Sequence, residues 1–335
     1  MRLSISYRSR LVAWMILCLA LLVGCALGSS AGQPTQADLA QTVQVAQSPD
    51  TTRTPFLPEI DPSFTPVLPP TPILRSTVTP TLEPSLTPTQ DLSACLAAGG
   101  RFEIGGPLPY RGMPEGLSFR VYLPPCYDIE TARRYPVLYL IHGQSSTDDQ
   151  WDRLGADEVA DRLIASGEAP PFLIVMPRDR VWVDPDGDRF GLAVMDQLLP
   201  WIDSHYRIQA DRAHRAIGGL SRGGAWALHL GLTHWESFGA WGEHSGVVFA
   251  SDAPLVFSWI KAIPPEEMPP IYLDDGEGDR WLYSMKDLKK ILDQAGVDYT
   301  WVLRPGYHNE EYWHAHVDEY LRWYASHWVE SSKEQ

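Results

Sequence analysis

Positively charged residues are scarce in this sequence. Lysine and arginine total 27, against 42 aspartates and glutamates, which gives a formal net charge of −15. Such a charge repels phosphate backbones and anionic lipid head groups. The sequence also has no internal repeat, no Gly-x-Gly-x-x-Gly pattern and no phosphate-loop signature. These absences disfavour a nucleic-acid partner, and we expect neither a cofactor nor a bound metal.

Cysteine is rare as well, with four residues in 335. Two of them, Cys95 and Cys126, fall in the part of the chain that we expect to fold. In an exported chain, two such cysteines more often pair than stay free. We therefore expect a disulfide that ties the start of the domain to the end of its first strand pair; two buried thiols are the alternative.

The apolar run Leu11 to Val23 is too short for a comfortable membrane span. It follows three arginines and has the length of a signal-peptide core. It ends Leu22-Val23-Gly24-Cys25, which resembles the lipobox of bacterial lipoproteins, where cleavage before the cysteine is coupled to lipidation of its thiol. We expect a signal peptide over 1–24 and a lipid on Cys25, which would hold the protein on the outer face of a membrane in the bacterial cell envelope. An ordinary secreted protein cut nearby is the alternative.

Large apolar residues are few from Ser48 to Gln90, where eleven prolines and ten threonines stand. Such a segment cannot bury enough surface to offset the entropy lost on ordering its backbone. We predict a disordered tether over 25–90 and one folded domain over 91–335. Whether the Thr-Pro repeats carry glycans is open.

Within this domain, strand-like and helix-like segments alternate. Strands are predicted at 119–123, 137–141, 172–176, 238–241, 270–273 and 299–303, and helices at 157–165, 192–205 and 284–294, with a last helix near the C-terminus. This alternation predicts an α/β fold with a mostly parallel sheet and helices on both faces. In such sheets, sites lie at the carboxyl ends of the strands.

One stretch carries a nucleophile pattern. Gly219-Leu220-Ser221-Arg222-Gly223 matches Gly-x-Ser-x-Gly, in which a serine sits on a sharp strand-to-helix turn and glycines two residues away let strand and helix pass closely. Apolar residues precede the motif, and helix-forming residues follow it. We predict that Ser221 is a catalytic nucleophile.

A serine hydroxyl needs an adjacent base. His308 follows the last predicted strand and is our candidate. His314 and His316 lie on the last helix, where residues i and i+2 do not face each other, so metal binding there is disfavoured. We expect a structural role for His142.

The base needs a carboxylate partner between Ser221 and His308, in the loop after the strand 270–273. Asp274, Asp275, Glu277 and Asp279 qualify by position. The first two would cap the strand, whereas the turn before Asp279 can swing its side chain toward the histidine. We therefore favour Asp279, with Asp275 as the alternative.

The oxyanion of an acyl-transfer intermediate needs N–H donors. One should be the backbone of Arg222, in the first turn of the helix. The second should come from the loop after 137–141, and we favour Gln144 over Ser145.

Together these motifs resemble the esterase D-like family of α/β hydrolases. The residues that carry the resemblance are Tyr135 to Gly143, Trp151, Gly219 to Gly224, Gly306-Tyr307-His308 and Trp313. The resemblance implies the α/β-hydrolase fold and acyl-ester chemistry, with Ser221 and His308 as nucleophile and base. The family places its acid in a Gly-x-x-Asp pattern, which Gly276 to Asp279 matches.

One segment departs from the family. Relatives often carry a longer substrate loop where this chain has Arg178 to Arg189, with three aspartates at 184–188. The acidic run lacks a full calcium-loop pattern, and we expect a solvated turn.

The expected function is that of a serine carboxylesterase acting on an extracellular ester of a small molecule or a carbohydrate. Two alternatives stay open: an acyltransferase of the mycolyltransferase type, and a non-catalytic surface-binding module that keeps the fold. Oligomeric state is left open.

Overall fold

A computed structural model describes residues 92–180 and 183–331, with side chains as far as residue 328. The predicted signal peptide 1–24, Cys25 and the tether 25–90 lie outside this part of the chain. Within it, no helix is both long and apolar enough to cross a membrane.

Eight strands form one mixed sheet within the described residues. They are β1 Arg101–Tyr110, β2 Met113–Leu123, β3 Val137–Ile141, β4 Leu173–Pro177, β5 Arg215–Leu220, β6 Ala240–His244, β7 Ile271–Gly276 and β8 Thr300–Arg304. Their order is β1-β2-β4-β3-β5-β6-β7-β8. Strands β3 to β8 run parallel, and β2 pairs antiparallel with both β1 and β4. The predicted mostly parallel sheet is confirmed.

Helices cover both faces of the sheet. They are α1 Ser93–Ala98, α2 Gln150–Arg153, α3 Ala156–Ala165, α4 Phe190–Ala193, α5 Leu199–His205, α6 Arg222–Thr233, α7 Val256–Ala262, α8 Leu282–Ala295 and α9 Glu310–Ser331. A single π turn, Val194–Leu198, joins α4 to α5. One apolar core packs α4 to α8 on one face, and a second packs α3 and α9 on the other.

Two of the differences from the sequence-based expectation have a clear physical reason. Strand β1 was not predicted, because this edge strand is largely exposed and its Gly105-Gly106-Pro107 interrupts the apolar alternation. The strand predicted over 270–273 continues to Gly276. Asp274 and Asp275 therefore lie inside β7, and the expectation that they follow the strand as caps is wrong.

The expected disulfide is confirmed. Cys95 of α1 and Cys126, which follows β2, are bonded with their Cα atoms 5.1 Å apart. The bond fastens the first helix to the end of the β1–β2 pair.

Candidate active site

Ser221 occupies a strained turn between β5 and α6. Its backbone has φ 55° and ψ −122°, a conformation that non-glycine residues rarely adopt. A Cβ on Gly219 would lie 2.2 Å from the carbonyl oxygen of Gly223, so a side chain at 219 would force strand and helix apart. The motif therefore forms the predicted strand–serine–helix turn at the carboxyl end of β5.

His308 lies between Ser221 and Asp279. Its Nε2 is 2.9 Å from Ser221 Oγ, and its Nδ1 is 2.8 Å from Asp279 Oδ2. Asp279 accepts a second hydrogen bond, from the backbone N–H of Trp281, at 2.7 Å. With Nδ1–H donating to the carboxylate, Nε2 is left to accept the serine proton. The structure thus brings together the three residues that the sequence assigned to nucleophile, base and acid.

The charge on Asp279 is stabilised by its partners. Burial alone would raise the pKa of this carboxyl, but hydrogen bonds from His308 and from the N–H of Trp281 outweigh burial and lower the pKa. Asp279 is therefore ionised at neutral pH and can accept the hydrogen bond from His308 Nδ1–H.

The other acidic candidates have different partners. Asp274 points to the α9 side of the sheet, where it bonds His244 Nδ1 at 2.7 Å and the hydroxyls of Tyr312 and Tyr320. Asp275 accepts the backbone N–H of Gly276 through Oδ1 at 2.8 Å and makes no hydrogen bond to His308. Glu277 is exposed.

Backbone N–H groups border the serine on two sides. The helix α6 begins at Arg222, whose N–H belongs to the first turn and has no acceptor within the helix. In the loop after β3, a Cβ on Gly143 would lie 3.6 Å from Ser221 Cβ, and the Gly143 N–H donates to Gln150 Oε1 at 2.8 Å. The neighbouring Gln144 lines the cleft beside Ser221. The two predicted oxyanion-hole residues therefore line the same cleft as Ser221.

His142 holds the loop that carries Gln144. Its Nε2 accepts the backbone N–H of Asp179 at 3.0 Å, so Nδ1 carries the proton and donates to the carbonyl of Gly143 at 2.7 Å. Burial lowers the pKa of this imidazole, which keeps it neutral. These bonds give His142 a structural position, as expected from the sequence.

The side chain of Arg222 was missed by sequence reasoning. Its guanidinium is buried and bonds Asp179 Oδ2 at 2.7 Å and Asp188 Oδ2 at 3.1 Å, and it also donates to the carbonyl oxygen of Val183. Asp188 is thus not part of a solvated turn, whereas Asp186 is exposed. The three aspartates at 184–188 were the only feature of the sequence that could have indicated this ion pair. Nothing in that pattern identified Arg222, more than thirty residues away, as their partner.

The serine opens into a cleft of about 900 Å³. Its lining includes apolar Val247, Phe249, Leu288 and Ile291 as well as polar Gln144, Ser145 and Arg153. Gln150 Nε2 and the guanidinium of Arg153 both donate to Glu310, at the start of α9, at 3.2 and 2.9 Å. These bonds connect the Gln144 loop to the helix that follows His308.

The two histidines on α9 have separate surroundings. His314 Nδ1 lies 3.1 Å from the carbonyl oxygen of Leu154, and the ring of His316 packs on Tyr312. Across 92–180 and 183–331, no group of three or more His, Cys, Asp or Glu side chains is placed to hold a metal ion.

Comparisons with known proteins agree with this geometry. A family model described as "Putative esterase" matches residues 111–324. An endo-1,4-beta-xylanase/feruloyl esterase of Xylanibacter ruminicola is 37% identical over 121 residues, which are 34% of this chain and 17% of that protein. An esterase of Mycobacterium tuberculosis is 34% identical over 143 residues, which are 38% of this chain and 29% of that protein. The chain thus spans less than a third of the length of either relative.

The solved structures are covered over a larger share of their length than these two relatives. A ferulic acid esterase superposes with a TM-score of 0.61 at 26% identity, covering 68% of this chain and 98% of that one. A fluorophosphonate-binding serine hydrolase of Staphylococcus aureus gives a TM-score of 0.58 at 16% identity, covering 68% and 99%. At 16% identity, the second likeness concerns the fold alone. The architecture is the α/β-hydrolase fold that the sequence predicted.

Proposed function

Since this chain belongs to the Putative esterase family, we propose that it is a serine carboxylesterase that works through an acyl-enzyme. The observation that carries the proposal is the unbroken contact from Ser221 Oγ through both nitrogens of His308 to Asp279. A serine hydroxyl is a weak nucleophile, and this arrangement supplies the base and the group that orients it.

The proposed acylation begins when Ser221 Oγ attacks the ester carbonyl and its proton passes to His308 Nε2. The carbonyl oxygen becomes an anion that the backbone N–H groups of Arg222 and Gln144 would stabilise. Collapse of this intermediate breaks the bond to the alcohol, which takes the proton from His308. Water then repeats these steps on the acyl-serine and releases the carboxylic acid, which restores Ser221.

The proposed substrate is an extracellular carboxylic ester, with an acylated carbohydrate as the favoured case. The cleft supports this proposal because its lining offers apolar side chains for an acyl chain and polar side chains for an alcohol rich in hydroxyls. The relative named endo-1,4-beta-xylanase/feruloyl esterase points the same way.

The proposed location is the outer face of a bacterial membrane, with the protein held by a lipid on Cys25. This proposal rests on the sequence of residues 1–25, with its basic start, apolar run and lipobox-like end. A tethered enzyme in that location meets extracellular esters before cytosolic thioesters.

A fluorophosphonate, which phosphonylates an activated serine, tests the proposal. The wild type should be labelled and should hydrolyse p-nitrophenyl acetate, whereas Ser221→Ala should do neither. Ser251→Ala, at a serine outside the triad, is the matched control and should behave as the wild type. An unlabelled wild type would support the non-catalytic binding module. Labelling followed by acyl transfer to an added sugar in preference to water would support the acyltransferase.

A further inference from the structure

Two carboxyl groups lie buried beneath the triad. Glu243 of β6 and Asp275 of β7 are each 0% exposed. A Cβ on Gly224 of α6 would lie 2.7 Å from Glu243 Cγ, so the nucleophile helix passes directly over this side chain. Neither residue contacts Ser221 or His308 by hydrogen bond, and the mechanism above uses neither.

These carboxyls have few hydrogen-bond donors. Among the described residues, no N–H or O–H group donates with good geometry to Asp275 Oδ2 or to either oxygen of Glu243. An ionised carboxylate without donors is costly inside a protein, whereas a protonated carboxyl is tolerated and itself becomes a donor. The surroundings therefore favour the protonated form of both groups.

Asp275 has an acceptor for its proton. Strand β7 ends at Gly276, and the N–H of Asp279 donates to the carbonyl oxygen of Gly276 at 3.0 Å, which closes a tight turn and brings Asp279 back to Asp275. The two carboxyl groups interact as hydrogen-bond partners. Two carboxyl groups can share a hydrogen bond only if one of them holds a proton. Asp279 already accepts from His308 and from the N–H of Trp281, as an anion does. The proton of this pair belongs on Asp275.

We propose that Asp275 is a positioning residue: it stays protonated, donates a hydrogen bond to Asp279, and so holds the carboxylate that orients His308. This inference rests on the proposed triad. Three donors, from Asp275, His308 and Trp281, would then fix the Asp279 carboxylate, while the neutral Asp275 adds no second negative charge beside it. Asp275 acts through Asp279 and does not touch the reacting atoms.

Burial and the neighbouring carboxylates raise the pKa of Asp275, and they outweigh the N–H of Gly276, which lowers it. Burial raises the pKa of Asp275 to about 9, and the charges of Asp279 and Asp274 add to this effect. Burial also raises the pKa of Glu243 well above its usual range, with Asp275 as a further cause. Tyr312 of α9 has a raised pKa, due first to its burial, and Asp275 contributes. None of these neighbours supplies a positive charge.

The raised pKa of Asp275 makes the stability of the folded protein decrease as pH rises. In the unfolded chain Asp275 loses its proton near pH 4, whereas in the folded protein it keeps the proton up to about pH 9. Between these values the folded state binds more protons, so Asp275 lowers the stability progressively as pH rises. Above about pH 9 both states are ionised, and this contribution stops changing.

The test compares Asp275→Asn, Asp275→Ala and the exposed neighbour Glu277→Gln in kcat, KM and Tm from pH 5 to 10. Asparagine keeps a donor but cannot ionise; alanine removes the donor. At pH 7 we expect near wild-type kcat for Asp275→Asn, and for Asp275→Ala a kcat lower by about tenfold or more with little change in KM. Glu277→Gln should match the wild type throughout.

The pH profiles distinguish positioning from simple packing. The wild type should lose kcat with a midpoint near pH 9, where Asp275 ionises and can no longer donate, and Asp275→Asn should lack this loss. The Tm of Asp275→Asn should exceed that of the wild type by a margin that grows from pH 5 to 9.

An alkaline loss of kcat that Asp275→Asn shares, or a Tm margin independent of pH, overturns the inference. The Tm series needs no catalysis, so it tests Asp275 even if Ser221→Ala disproves the proposed function. Conversely, Ser221→Ala can be inactive while the Asp275 variants show neither the expected kcat profile nor the expected Tm profile. That result supports the proposed function and refutes only the positioning role of Asp275.

Discussion

The backbone N–H of Asp179 donates to His142 while the carboxylate of the same residue accepts from Arg222. Asp179 thereby links the two sides of the proposed oxyanion hole, because His142 holds Gly143 in the loop before Gln144, and Arg222 begins the nucleophile helix. This contact joins segments that stand 37 and 43 residues apart in the chain.

Removing the Asp179 carboxylate should impair catalysis more than substrate binding. In Asp179→Ala the buried guanidinium of Arg222 keeps Asp188 and the Val183 carbonyl but loses the nearer of its two carboxylate partners, so both N–H donors shift relative to Ser221. We expect kcat to fall by about 10- to 100-fold with a smaller change in KM, since oxyanion contacts strengthen in the transition state. Steady-state kinetics with p-nitrophenyl acetate measure both constants. Asp186→Ala, on the same loop but exposed, serves as control; an equal loss there would contradict the assignment.

Replacing the triad acid should leave the fold intact and reduce turnover severely. Asp279→Asn keeps the size of the side chain but favours the His308 tautomer with its proton on Nε2, which cannot accept from Ser221. By analogy with serine proteases, the loss in kcat is up to about 10⁴-fold. Wild-type turnover in Asp279→Asn, together with a collapse in Asp275→Asn, would move the triad role to Asp275.

Loss of the disulfide should destabilise the domain without touching the site. The Cys95–Cys126 bond closes a loop with a sequence separation of 31, and such a bond contributes about 2–4 kcal/mol. The double variant Cys95→Ser, Cys126→Ser should have a lower denaturant midpoint and an unchanged kcat. The wild type, unfolded without reductant, should show neither residue as a free thiol; titration of both would contradict the bond.

The buried network around Asp274 should be essential for stability. This carboxylate bonds His244, Tyr312 and Tyr320, all of which are buried. Asp274→Ala would leave three polar groups unsatisfied, at a cost of about 3 kcal/mol or more. Denaturant unfolding measures the change, and Asp298→Ala, at an exposed aspartate, is the control. Equal unfolding midpoints for the two variants would refute the structural role of the network.

Cys25→Ser tests the proposed anchor. If the thiol of Cys25 carries the lipid, this variant should lose acyl mass at the mature N-terminus and leave the membrane fraction, or fail to be processed. Mass spectrometry of the N-terminal peptide and fractionation of the producing cells measure these outcomes. Unchanged lipidation in the variant would refute Cys25 as the anchor. It would favour the alternative, an ordinary secreted protein cut nearby.

Sequence reasoning succeeded where the determining interactions are local. The turn at Ser221 follows from glycines two residues away on either side, because only they allow the close passage of strand and helix. Strand β3 was predicted with its observed bounds, since a buried parallel strand reads as a continuous apolar run. The loop position of His308 followed from the strand before it.

The sequence by itself therefore determined the order of the elements, one candidate nucleophile, one candidate base and a short list of candidate acids. Tertiary structure decided the rest, because those outcomes depend on pairing between distant segments. Strand β7 reaches Gly276 because β8 pairs with it that far, beyond the end of its pairing with β6 at Asp274. Asp274 and Asp275 therefore lie on opposite faces of the sheet. Arg222 finds Asp179 across a separation that no local pattern encodes. The protonation of Asp275 depends on burial beside a second carboxylate, a property that exists only once the chain has folded.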